Sequence, residues 1–175
     1  LRYPDMATLL TKEMWEDRRR YNIYNTPWMT VGVTTGQYYP GRGFMNRIDL
    51  KDSELHSEHW WKDYVKVKEK KFGLTEYRLA RKPPPIPGMD SDVPQYGKTV
   101  YLYRDKAGNV ITRIDCSDVP HEGALCTQNW DMGEYGVSAN LRVMYRRALL
   151  EHWHELQQKV TQVVLGFRVE VKDLQ

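Results

Sequence analysis

The spacing of apolar residues predicts helices in the first half of the chain. Asp5 is a suitable N-cap, apolar positions three and four apart follow it up to Met14, and the predicted helix runs to about Arg20. A second helix is predicted over residues 52–72, with Asp52 as its N-cap and Gly73 placed to end it. A short helical piece is predicted over residues 75–82. We therefore expect residues 1–82 to form an N-terminal helical region.

The longest helical pattern lies near the C-terminus. Between residues 139 and 165, apolar positions recur at intervals of three and four, and Gly166 is well placed to end the helix. Phe167, Val169 and Val171 then alternate with charged residues, which is the period of a strand with one buried face. This part of the chain predicts a long helix followed by a strand over residues 167–171.

Two β-rich runs predict a hairpin. Residues 99–104 and 110–115 are rich in Val, Ile, Thr and Tyr, and Gly108 between them can adopt the positive φ of a bulged turn. The polar stretch that follows, up to residue 136, is predicted to be a loop. The expected fold class is α+β, with a small antiparallel sheet (hairpin 99–115 plus strand 167–171) packed on the long helix at about residues 139–165.

Between the first two predicted helices the pattern is irregular. Residues 21–48 contain four glycines and two prolines, and loops of this length in compact domains usually have a function or a partner. We interpret the stretch as a long irregular arm that lies across another protein, anchored by aromatic side chains. The candidate partner-binding residues are Tyr24, Trp28, Tyr38, Tyr39 and Phe44. The alternative is a loop packed on its own domain, with a short strand at residues 29–33.

A run of prolines divides the chain. Residues 83–87 are Pro-Pro-Pro-Ile-Pro, and consecutive prolines fix φ and lack N–H donors, which favours a stiff extended spacer. We therefore predict a helical and extended region over residues 1–82, a proline-rich linker over 83–97 and a small α+β domain over 98–175. In the alternative, all three form one structural unit.

Composition narrows the class of protein. The 175 residues are 41% hydrophobic and 28% charged, which is typical of a folded globular chain. No run approaches the roughly 18 consecutive apolar residues of a transmembrane helix. The net charge of +3 does not require a nucleic-acid partner, so RNA binding is an alternative that we do not favour. Tyr and Trp dominate the aromatic residues, and both are enriched at protein interfaces.

Residues that suit catalysis or metal binding are scattered. Cys116, His121 and Cys126 are evenly spaced, but zinc sites usually include a closer pair of cysteines. The sequence Gly97-Lys98-Thr99 lacks the earlier glycine of a phosphate-binding loop. We therefore predict no catalytic residues, no metal and no cofactor, and half-buried free thiols at both cysteines. The prediction is that the chain is not an enzyme, with a small enzyme or zinc-binding protein as the alternative.

In composition the chain resembles the supernumerary subunits of large mitochondrial assemblies. We expect a non-catalytic accessory subunit of a respiratory-chain or ATP-synthase complex, without a transmembrane segment of its own, that acts by contacts with other protein subunits. A mitochondrial ribosomal or other RNA-associated protein is the alternative. The chain begins with Leu1, as after removal of a targeting peptide, and has no secretory h-region, so the expected location is mitochondrial rather than secreted.

Overall fold

The described part of the protein is a seven-stranded antiparallel sheet with a C-terminal helix packed across one face. The computed structural model describes residues 1–22, 24–47, 64–80, 97–120 and 123–167. The strands, in chain order, are β1 (Thr30–Thr35), β2 (Tyr64–Lys71), β3 (Leu74–Leu79), β4 (Lys98–Arg104), β5 (Val110–Ser117), β6 (Leu125–Asp131) and β7 (Ala139–Arg146). The helices are α1 (Lys12–Arg19), the single-turn α2 (Phe44–Arg47) and α3 (Trp153–Gly166). The strand order is β1-β7-β6-β5-β4-β3-β2, so β1 and β2 are the outermost of the described strands.

The predicted fold class is therefore wrong, both in the size of the sheet and in the placement of the helices. The sheet is large rather than a small one packed on a long helix, and it includes strands from both halves of the chain. The N-terminal part is not a helical region, because its described helices are only α1 and the single turn α2. Residues 81–96, which include most of the predicted linker, lie outside the described residues, so the domain division stays a prediction.

The helices predicted over residues 52–72 and 75–82 are replaced by a hairpin wherever the structure describes them. Tyr64–Lys71 and Leu74–Leu79 are the paired strands β2 and β3. Phe72 and Gly73 between them have φ values of 54° and 79°. Two consecutive residues with positive φ form the primed turn that joins tight antiparallel strands. The glycine that suggested a helix end is thus the second residue of a hairpin turn, and residues 48–63 lie outside the described part.

The long C-terminal helix is present only in its second half. Residues 139–146 form β7, a 3₁₀ segment spans Arg147–His152, and α3 begins at Trp153. Leu141, Val143 and Tyr145 alternate into the core, a period of two that the helical spacing of the same segment concealed. The predicted strand at 167–171 lies outside the described residues except for Phe167.

The hairpin predicted around Gly108 is confirmed. β4 and β5 pair from Lys98 opposite Ser117 to Arg104 opposite Val110, and Gly108 has a φ of 89°. The loop predicted to follow it is partly a strand, because residues 125–131 form β6 between β5 and β7. Its polar residues misled the prediction: Gln128 is fully buried, where the Tyr145 hydroxyl donates to its Oε1 at 2.8 Å.

One face of the sheet and α3 enclose the main core. Trp153, Leu156 and Val160 of α3 are buried against side chains from β5, β6 and β7. A hydrogen bond fixes the helix on the sheet, since the indole N–H of Trp130 donates to Oγ1 of Thr161 at 3.1 Å. The N-terminal segment packs along the same side of the molecule, and the Tyr3 hydroxyl donates to Glu155 at 2.9 Å.

On the opposite face, the described residues form a covering layer at one end only. There α2 inserts Met45 into a second buried cluster with Tyr77, Val100, Leu102 and Val110. Toward β6 and β7 this face carries polar side chains such as Asn129 and Arg142. Within the described residues, no helix is long and apolar enough to cross a membrane.

Candidate partner-binding surface

The predicted arm is folded onto the sheet. Thr30–Thr35 form β1, which pairs with β7 along all six residues, and a 3₁₀ turn at Gly36–Tyr38 follows it. The alternative interpretation, a packed segment with a short strand at residues 29–33, was nearer to the structure. The arm's candidate anchors therefore have fixed positions that can be compared one by one.

Two of the five candidates lie near the start of this segment. Trp28 is 7% exposed, and the guanidinium of Arg2 lies 5.7 Å from the centre of its ring. Tyr24 is 47% exposed, and its carbonyl accepts a hydrogen bond from Nη1 of Arg146 at 2.6 Å. Trp28 is therefore part of the packed structure, whereas Tyr24 is about half exposed.

The other three candidates surround the opposite end of the segment. Tyr38 is 76% exposed on its 3₁₀ turn, and Phe44 packs against the cluster around Met45. The Tyr39 hydroxyl donates to Oδ2 of Asp131, at the end of β6, at 2.8 Å. Burial and this hydrogen bond raise the pKa of Tyr39. A partner role for all five residues stays a prediction.

A cleft lies beside Tyr39, between α2 and the tip of the β4–β5 hairpin. We call it the hairpin cleft. Its volume is about 360 Å³. It is lined by Arg42, Gly43, Met45, Asn46, Asp105, Asn109, Val110, Ile111, Asp131, Gly133 and Glu134. The sequence predictions missed this site, because its walls come from three parts of the chain that only the sheet brings together.

Hydrogen bonds hold the walls of the hairpin cleft in place. Asn46 joins them, because its Nδ2 donates to Oδ1 of Asn109 at 3.2 Å and its Oδ1 accepts from the Val110 N–H at 2.8 Å. The Asp105 carboxylate accepts from both the side chain and the backbone of Asn109, and these bonds lower the pKa of Asp105. The cleft is therefore pre-formed, which reduces the entropy lost when a partner binds.

The hairpin cleft is acidic. Asp105, Asp131 and Glu134 contribute three carboxylates, and Arg42 contributes one guanidinium, so the net charge is −2. Apolar surface from Met45, Val110 and Ile111 lies in the same cleft. An acidic cleft with apolar walls is suited to a long basic side chain, whose aliphatic stem packs while its charged end pairs with a carboxylate.

The cysteines do not form a metal site. Cys116 and Cys126 lie opposite each other on β5 and β6 and are joined in a disulfide, with Cα atoms 4.0 Å apart. The expected free thiols are thus wrong, because strand pairing brings together residues ten positions apart. His121 lies outside the described residues. The described part of the chain contains no group of three or more metal-ligating side chains placed to hold an ion.

The fold is similar to that of a bacterial protein. No family model matches the chain, and no curated protein matches its sequence. The structure matches an immunity protein of the Stenotrophomonas maltophilia type IV secretion system with a TM-score of 0.54. The two chains are 15% identical, over 81% of this chain and 70% of that chain.

This similarity contradicts the predicted mitochondrial accessory subunit. The fold is shared with a bacterial immunity protein, which points away from a respiratory-chain or ATP-synthase complex and from a mitochondrial location. The prediction failed because a high content of Tyr and Trp is common to many protein-binding chains, and because the two cysteines were taken to be free.

Proposed function

We propose that the chain is an immunity-type protein that protects a bacterial cell by binding a toxic partner protein. The shared fold with a secretion-system immunity protein is the observation that carries this proposal. The proposal concerns binding and not catalysis. The partner is one protein rather than the many subunits of a large complex.

The hairpin cleft and the neighbouring Tyr38 are the proposed contact surface. Hot spots at interfaces are enriched in Tyr, Trp and Arg, and they lie beside well-formed pockets. Tyr38 is largely exposed next to Tyr39, whose hydroxyl bonds to Asp131 of the cleft. The net charge of −2 within the cleft favours a partner that presents Lys or Arg at this point.

The disulfide supports a location in an oxidising compartment. Disulfides persist in places such as the bacterial periplasm and are rare in the reducing cytosol. Cys116 and Cys126 are both fully buried, so their bond is also sheltered from soluble reductants. We therefore propose that the chain meets its partner in the periplasm.

The experiment that tests this function starts from the native complex. The tagged chain is purified from extract of its source organism, and the co-purifying protein is identified and expressed in a host bacterium, directed to the periplasm. We expect that protein to reduce the number of viable cells at least tenfold, and co-expression of this chain to restore them. A stoichiometric partner that is harmless when expressed alone would contradict the immunity function, as would toxicity that this chain does not relieve.

A further inference from the structure

Four turns form one end of the sheet. One follows β1 (residues 36–39), and the others join β2 to β3 (72–73), β4 to β5 (105–109) and β6 to β7 (132–138). They lie at the same end because each strand runs antiparallel to its neighbours, so alternate connections return to the same side of the sheet. All four turns belong to the part of the chain that the structure describes. We call this end of the molecule the turn end.

An exposed aromatic ring accompanies each of these turns. Tyr38, Phe72 and Tyr135 lie within turns, and all three are exposed. Tyr103, which is also exposed, is the penultimate residue of β4 and so comes just before the β4–β5 turn. Aromatic residues are enriched at protein interfaces, and exposed apolar side chains that gather in one place mark a contact site. The turn end therefore has the composition of a contact surface.

The rings are held in place by the structure around them. Trp153, at the start of α3, lies under two of them, since its ring is 5.2 Å from that of Tyr103 and its indole N–H donates to the Phe72 carbonyl at 2.9 Å. The Tyr135 N–H donates to the Met132 carbonyl at 2.9 Å and so closes a 3₁₀ turn. Rings fixed before binding lose little entropy when a partner packs on them.

The hairpin cleft lies between two pairs of these rings. Along the strand order, Phe72 and Tyr103 are on its β2 side, and Tyr135 and Tyr38 are on its β1 side. Neighbouring strands are roughly 4.8 Å apart, so the four turns together are roughly 25 Å wide. This width is on the scale of a standard interface, which covers roughly 800 Å² on each partner. The hairpin cleft alone extends only from the β4–β5 turn to the end of β6.

We infer that the whole turn end binds the toxic partner, which presents a lysine or arginine to the hairpin cleft and apolar side chains to the rings on both sides. This inference rests on the proposed function and extends its contact surface from one cleft to four turns. The net charge of −2 in the cleft determines which side chain the centre accepts. The rings contribute apolar area, and the tyrosine hydroxyls tolerate the wet rim of an interface.

Amide hydrogen exchange on the native complex tests the extent of this surface. The complex is purified from the source organism through the tagged chain, and its exchange is compared with that of the free chain. We expect the amides of residues 36–39, 72–73, 105–109 and 132–138 to exchange at least tenfold more slowly in the complex. The amides of α1 should exchange equally in both samples. Slowing that is confined to residues 105–109 and 132–134, beside the cleft, would overturn the inference.

Matched substitutions test the contribution of the rings to affinity. Tyr103 and Tyr21 are 39% and 38% exposed, and Tyr135 and Trp15 are 42% and 45% exposed. The partner from the native complex is titrated with the alanine variant of each residue. We expect Tyr103→Ala and Tyr135→Ala to weaken binding at least fivefold, whereas Tyr21→Ala and Trp15→Ala should bind within twofold of the wild type. Equal affinities in all four variants would also overturn the inference.

Folding controls and the toxicity assay keep the outcomes separate. Near-UV circular dichroism establishes that each variant is folded, and Phe72→Asn replaces Tyr103→Ala if the latter is not, because asparagine tolerates the positive φ at this position. A partner that is toxic and neutralised, but insensitive to the turn-end variants, would contradict the surface and leave the immunity function in place. A harmless partner that binds across all four turns would contradict the immunity function and support the surface.

Discussion

At the scale of single residues, the largest difference between the sequence prediction and the structure concerns the two cysteines, which were expected to be free thiols and form a disulfide. Cys116 and Cys126 gave no sign of pairing in the sequence, because a separation of ten positions fits no disulfide or metal motif. Their partnership follows only from the register of β5 with β6. By contrast, the role of Gly108 could be predicted, because a local turn requires a local residue type.

The disulfide makes a testable contribution to stability. Cross-linking two residues ten positions apart lowers the entropy of the unfolded chain, so the double variant Cys116→Ser/Cys126→Ser should lose about 2–3 kcal/mol of unfolding free energy. Urea denaturation with and without a thiol reductant measures the effect. The wild type should lose a similar amount in reductant, whereas the double variant should be insensitive to it. A wild type whose urea midpoint is unchanged by full reduction would show that the bond is not stabilising.

At the scale of secondary structure elements, the sequence distinguishes turns better than it distinguishes strands from helices. Residues 139–146 have apolar side chains that satisfy both a helical and a strand period, and only pairing with β1 and β6 decides in favour of β7. Residues 64–71 are rich in lysine, which favours helices, but Phe72 and Gly73 form a tight turn that pairs them with β3. The second half of the C-terminal helix was predictable, because α3 buries one apolar stripe.

The contact between α3 and the sheet depends on a buried hydrogen bond as well as on apolar packing. Thr161→Val keeps the shape of the side chain but leaves the Trp130 indole N–H without its acceptor. The cost should be about 1–3 kcal/mol of unfolding free energy, measured by urea denaturation. Thr127→Val on β6 is the control, because Thr127 lies on the opposite face and is only partly buried. Its effect should stay below about 0.5 kcal/mol. If the two variants lost the same unfolding free energy, the indole hydrogen bond would not stabilise the contact between α3 and the sheet.

At the scale of the whole molecule, the order of the strands could not be predicted from local sequence patterns. β1 pairs with β7 across more than one hundred residues, and this pairing places Tyr39 against Asp131. The hairpin cleft exists only because the hairpin tip, α2 and the end of β6 meet there. Tyr39 and Phe44 were identified from sequence as candidate contacts, but the acidic residues beside them were not.

The measurement that most directly tests the account is the affinity of the identified partner for variants of the hairpin cleft, by isothermal titration calorimetry. The two cleft variants are Glu134→Lys, in the lining of the hairpin cleft, and Tyr38→Ala, next to Tyr39 at its margin. Their controls are Tyr21→Ala and Glu16→Lys, which change exposed residues of the same types at or beside α1. We predict that each cleft variant weakens binding at least tenfold, about 1.4 kcal/mol, while the controls bind like the wild type. Cleft and control variants that all bind with wild-type affinity would contradict the assignment of this surface.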